Sequence, residues 1–332
     1  MKKYLLFRKY ELNFLMGYMR VGVPKYDSFI YAVEGFIDIC KSLFKVHIPD
    51  VNEKMEIAEY AGSEENLQIA VYFVNSIGEA YSKIAEDASL SGKMGRHGVK
   101  ITDGVLLDYA KKAVFYLKTT LKWNQRLENR EVYYRNLGCA YERMDRLENK
   151  VGLHADEIIS NYKKAFSLVV SNKNEKKERI QKVYHTLLSY YERYMRISFG
   201  VEKDSFKEKE TFMAFLEKVK GCIGKEKIDL LENYQQVSEI AILDNPRFSL
   251  QKSLNGFAWT WILILLLNND NHTKEKYVDA EEVYLQKVKE NLDVLKAMDI
   301  NDTYSEELMQ RYRMIKNYLN EQKRYISVDY ET

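Results

Sequence analysis

The sequence predicts an all-α chain built of antiparallel helix pairs, and three observations carry that expectation. Only three prolines, Pro24, Pro49 and Pro246, interrupt 332 residues rich in Leu, Lys, Glu and Tyr. Few positions therefore deny the backbone a helical hydrogen bond. Apolar residues recur at i, i+3, i+4 and i+7, the spacing of a half-buried helix. The clearest case is the stretch 131–170, EVYYRNLGCAYERMDRLENKVGLHADEIISNYKKAFSLVV. Tyr134, Leu137, Gly138 and Tyr141 stack on one helix face; Ile158, Tyr162, Ala165 and Leu168 stack on a second. Gly138 and Ala165 are small enough to let two such helices approach closely.

Taken in order, Tyr4–Met19 and Asp27–Phe44 read as two helices joined by a turn at Gly22–Pro24. Asp27 is suited to cap the second, whose stripe is Phe29, Val33, Phe36, Ile37, Cys40, Leu43 and Phe44. Pro49 opens a short third helix around Met55 and Ala58, closed by Gly62–Ser63. Asn66–Ala88 then repeats the organising face, with Val74, Ile77, Gly78 and Tyr81 in place of Tyr134, Leu137, Gly138 and Tyr141. Its partner, Leu106, Ala110 and Ala113, follows an inserted loop. A third copy, Tyr184, Leu187, Leu188 and Tyr191, has Leu188 where the small residue stood. The stripe Phe212, Phe215, Leu216, Val219 and Cys222 is the expected partner of this copy. Further on, Lys227–Leu243 is amphipathic. Ser249–Leu267, with Phe257, Trp259 and Trp261, is apolar all round and is expected to be a buried central helix. Asn268–Asn271 reads as a turn. Val278–Met298 and Tyr304–Lys323 are the last helices, the final one opened by a Thr303/Glu306 capping box.

The aromatic–Leu–Gly–Tyr face resembles the first helix of a tetratricopeptide repeat. The resemblance implies a right-handed solenoid of helix pairs with extra flanking helices. It covers one good copy and two degenerate ones, at spacings of 60 and 50 residues rather than the usual 34 or so. It divides the chain into N-terminal helices on the array (1–62), degenerate repeats (63–224), and a C-terminal helical part with a Trp-rich helix and a closing helix (225–332).

Twenty-six tyrosines suit helix seams that meet water at their edges, since each adds apolar area and one hydroxyl. A net charge of +2 with alternating signs sets up no field for nucleic acid or an anionic membrane. Cys40, Cys139 and Cys222 have neither disulfide nor zinc spacing and fit a reducing cytoplasm. The opening MKKYLLFRKYELNF is a poor secretory signal, and the most apolar run, Phe257–Leu267, is too short to span a bilayer. No spacing suggests a metal or cofactor site, and no nucleophile elbow, kinase set or dinucleotide fingerprint is present.

Candidate binding residues lie on the polar side of the three copies. In a tetratricopeptide array the first helices line a concave groove. Two groove-facing offsets fall on Asn75, Arg135 and His185, and on Lys83, Arg143 and Arg193. The second set is basic throughout and would form a ladder of donors for carboxylates or phosphates. Unpaired with any partner it would be an ordinary solvated face. The carboxylate clamp of chaperone-binding repeats is absent, because Glu79 stands where an Asn is needed. A second candidate is the insertion SLSGKMGRHGVK, Ser89–Lys100. Its glycines and Lys93, Arg96, His97 and Lys100 could contact an anion, or it is simply a flexible surface loop. Arg179 and His185 have the R-x5-H spacing of helical HEPN ribonucleases, in which Arg holds a phosphate and His acts near neutral pH.

The expected function is non-catalytic: an adaptor or scaffold holding an acidic peptide or protein in a helical groove. The alternative is a nucleic-acid-associated helical protein, such as a HEPN-like ribonuclease or a defence or regulatory component. Self-association through the ends of the stack is a third.

Overall fold

The computed structural model describes residues 2–44, 46–48, 64–124, 130–150, 152–171, 177–201, 209–220, 224–240, 244–266, 271–299 and 303–328. The expected short helix at 49–63, most of the turn at 268–271 and Cys222 lie outside these. Among the described residues the chain is helical throughout, apart from one isolated bridge between Met94 and Lys100. It divides into two compact units, Met1–Leu187 and Leu188–Thr332.

The first unit contains α1 (Lys2–Met19), α2 (Val23–Ile39), α3 (Glu64–Ala85), α4 (Asp103–Trp123), α5 (Arg130–Leu147), α6 (Ala155–Ser171) and the first half of α7 (Lys177–Ser198). α1 turns into α2 at Gly22, whose φ of 62° and ψ of −146° belong to a region open essentially to glycine alone. Gly22 and not Asp27 is the N-cap of α2, because Pro24 begins the helix earlier than expected. Its missing N–H costs nothing in a first turn.

The seams explain the glycines. On α1 and α2 the rings of Phe29 and Tyr10 cover Gly17 and Gly35. On α3, a Cβ at Gly78 would come within 2.8 Å of Leu117 Cγ on α4. Tyr81 stacks on Tyr116 and Tyr109 of α4, with centroids 5.9 and 5.2 Å apart. As the numbering rises along α3 it falls along α4, so the two run antiparallel. α5 and α6 repeat this: Gly138 faces the ring of Tyr162, and Tyr141 meets His154. Leu106, Ala110 and Ala113 of α4 and Ile158, Tyr162 and Ala165 of α6 are all buried, as their stripes require. Burial of each large apolar side chain contributes about 1.5–3 kcal/mol, so these seams are the main source of the fold's stability.

The insertion between α3 and α4 is a pinned loop. Gly92 N–H donates to the Ile101 carbonyl and Ile101 N–H to the Lys93 carbonyl, each at 2.8 Å. Asp87 caps the turn at Ser89 and also accepts from the Gly22 N–H at 3.1 Å. The loop is thus tied to the start of α2, and the ring of Tyr26 fills the space beside Gly95.

The second unit holds the rest of α7, then α8 (Lys209–Lys220), α9 (Lys225–Ser238), α10 (Pro246–Leu266), α11 (Asn271–Ala297) and α12 (Thr303–Val328). α10 is buried at every residue from Lys252 to Ile264, as its uniform apolar character requires. α9, α11 and α12 pack around it. Phe199 and Phe215 meet Trp259 at 5.3 and 5.8 Å, and Phe212 packs edge-on against Tyr318 of α12. Lys252 is buried because Glu192 of α7 forms an ion pair with it; Asn255 and Tyr234 also donate to that carboxylate.

Candidate binding cleft

α3 and α5 lie side by side and parallel. Asn136 donates to Glu79 at 3.3 Å, Arg143 to Ser82 and to Glu86, and Arg146 to the carbonyls of Ala85 and Glu86. These partners are 57 to 61 positions apart, which brackets the 60-residue spacing between the two copies of the aromatic–Leu–Gly–Tyr face. Successive first helices are therefore in register, and residues equivalent in sequence become neighbours in space.

That register opens a cleft of ≈ 390 Å³ on the polar side. α3 contributes Glu79, Ser82 and Lys83; α5 contributes Arg135, Asn136, Cys139 and Arg143. α1 closes one side with Tyr18, and Lys182 and Thr186 come from the first half of α7. Lys83 and Arg143 both bind Glu86, at 2.9 and 2.8 Å. Arg135 makes only a long bond to Asn136, 3.4 Å. Among the described residues neither Arg135 nor Lys182 is paired with a carboxylate.

The neutral groups are fixed by their surroundings. Burial and the nearby Glu79 carboxylate raise the pKa of Tyr18 well above its ordinary value, so its hydroxyl stays protonated. Burial alone would raise the pKa of Glu86, but Arg143 and Lys83 outweigh it and hold the carboxyl below its ordinary value. The cleft thus presents cationic donors, neutral donors and one acceptor, Glu79. It has no nucleophile beside a base, and among the described residues no three His, Cys, Asp or Glu side chains are grouped to hold a metal.

No profile of a known protein family matches the chain, and no curated protein does.

Of the six residues on the two groove-facing offsets, Lys83, Arg135 and Arg143 line this cleft. Asn75 does not: it is buried on α3, and its Oδ1 finds no partner among the described residues. His185 is exposed on α7 outside the lining, and the cation that α7 supplies is Lys182, one turn earlier. Residues three apart differ by about 60° around a helix, so Lys182 lies on a neighbouring row of α7. Arg193 is exposed in the second unit.

In the loop, Arg96 lies over the Tyr31 ring at 4.7 Å and 3.5 Å from Glu34, which also takes His97 at 2.9 Å. These two bases are directed to α2, while Lys93 and Lys100 are exposed. Arg179 is engaged by the buried carboxylate of Glu131, and six residues put His185 about 120° away around α7. Tyr18, Asn136, Cys139, Lys182 and Thr186 were not legible as site residues. Lys182 carried one usable signal, a base one turn before an equivalent position.

Proposed function

We propose that this chain is a non-catalytic adaptor that holds an extended, acidic segment of a partner protein along the first helices of a tetratricopeptide-like stack. In this reading the pairs α3/α4 and α5/α6 begin a right-handed solenoid, continued by α7, and the cleft is the floor of its groove. The observation that carries it is the meeting of Lys83 and Arg143, equivalent residues of successive copies, beside Arg135 and Lys182. Such a row suits an extended chain because cations recur along the stack axis and engage carboxylates at intervals. α1 adds half-exposed Tyr18 to the lining, a footing for apolar side chains between the acidic ones.

The test is capture from lysate by tagged protein, with and without nuclease, compared with a variant carrying Lys83→Glu, Arg135→Glu and Arg143→Glu. Nuclease-resistant, saturable binding of a defined protein that the variant loses, at unchanged helical circular dichroism, supports the adaptor. Binding destroyed by nuclease and falling steeply with salt would overturn it in favour of a nucleic-acid partner.

A further inference from the structure

We infer that the cleft receives a doubly charged phosphate monoester, carried by a phosphorylated side chain of the partner segment. The inference deepens the adaptor reading and rests on it.

The charge balance of the cleft is specific. Lys83, Arg135, Arg143 and Lys182 supply four positive charges, and Glu79 and Glu86 supply two negative ones, a surplus of two. A phosphate monoester carries about −1.5 to −2 charge near neutral pH, whereas an Asp or Glu side chain brings at most one. The surplus is also localised. Glu86 offsets one of the two charges of Lys83 and Arg143, and the cations without a carboxylate partner among the described residues are Arg135 and Lys182. They enter from different helices, α5 and α7, onto one space. A tetrahedral group with three acceptor oxygens can meet both at once.

Glu79 sets the orientation. It accepts from Asn136, and as an anion beside Tyr18 of α1 it repels a second anion. The anion is therefore directed toward α5 and α7, where the free cations are. Arg135 can offer two parallel N–H bonds to phosphate, a geometry a lysine lacks.

The experiment uses fluorescence anisotropy with the full chain and a labelled Gly-Ser-Ala peptide bearing one central phosphoserine. Controls are the same peptide with Ser, the same peptide with Glu, and inorganic phosphate as competitor. The phosphopeptide should bind at least roughly tenfold more tightly than the Glu peptide, the value of one added charge-assisted contact. Arg135→Met and Lys182→Met should each weaken it by a similar factor. Neither change strands a carboxylate, so melting should be unaltered. Equal binding of the phosphoserine and Glu peptides, lost in the triple charge-reversal variant, would overturn the phosphate inference and leave the acidic groove standing. No binding of any peptide would overturn both. Competition by inorganic phosphate at the phosphopeptide's own concentration would overturn the peptide as carrier.

Discussion

Lys83 and Arg143 reach the same atom, Oε2 of Glu86, at 2.9 and 2.8 Å. The two bases are 60 residues apart in the chain and occupy equivalent places in successive helix pairs. A single carboxylate can bridge them only if α3 and α5 run parallel and level. The contact therefore reports the register of α3 against α5 as well as the charge of the cleft.

Glu86→Gln should raise the affinity of the cleft for a phosphopeptide several-fold. It releases one positive charge without removing any donor that faces the ligand. The carboxylate is 42% exposed, and such pairs contribute roughly 0–1 kcal/mol. The melting temperature should therefore change little. Anisotropy titration of the variant checks the first point and a thermal melt the second.

Gly138→Leu should destabilise the chain by roughly 1–3 kcal/mol through overpacking. Even a Cβ there would stand 2.7 Å from Tyr162 Cδ1, and the ring is fixed because its hydroxyl donates to Glu142 at 2.6 Å. Gly138→Ala should lose less, since it adds one carbon to the same contact rather than four. Urea denaturation of both variants gives the order. An unchanged midpoint for the leucine variant would contradict the close α5/α6 seam.

Lys252→Met should be far more damaging than its exposed counterparts, at about 3–5 kcal/mol. The Glu192 carboxylate, itself buried, would lose the cation that neutralises it, although Asn255 and Tyr234 would still donate. Adding Glu192→Leu should restore most of the loss, because an apolar pair of similar volume leaves no buried charge. A double-mutant cycle in urea measures the coupling.

Asp87 links the end of α3 to the turn before α2, and its titration should be visible in stability. Burial alone would raise its pKa, but the Ser89 hydroxyl, the Gly22 N–H and Lys25 outweigh it and hold it below the ordinary 3.8. The folded chain thus releases this proton more readily than the unfolded one. The stabilisation is complete above the ordinary value and is lost as pH falls through it toward the folded value. Glu86, also held below its ordinary value, acts in the same sense. Asp87→Asn should therefore be less stable at neutral pH and lose less on acidification, as urea midpoints between about pH 6 and pH 3 would show.

Much of the architecture could be read from the residues alone. The seam glycine Gly78 and its partner helix with Leu106, Ala110 and Ala113 follow from helical period and side-chain size, both local properties. The all-round burial of α10 follows for the same reason, since a helix with no polar face has nowhere to turn one. Gly138 and Tyr162 fall on facing stripes by helical period alone. The start of α2 was misread because Asp27 is a good cap in isolation. Pro24 at the first turn and the left-handed Gly22 compete with it and win.

The candidate site divides along the same line. The tetratricopeptide resemblance singled out Lys83 and Arg143 on one offset and Arg135 on another, and all three line the cleft. What spacing does not encode is the angle at which the next helix arrives or which carboxylate claims each base. The tertiary structure turned Asn75 inward, set Lys182 in place of His185, gave Arg179 to Glu131, and bound Arg96 and His97 to Glu34. The physical reason is range: period and size act within a few residues, whereas charge pairing is settled by whatever side chain packing brings within about 4 Å.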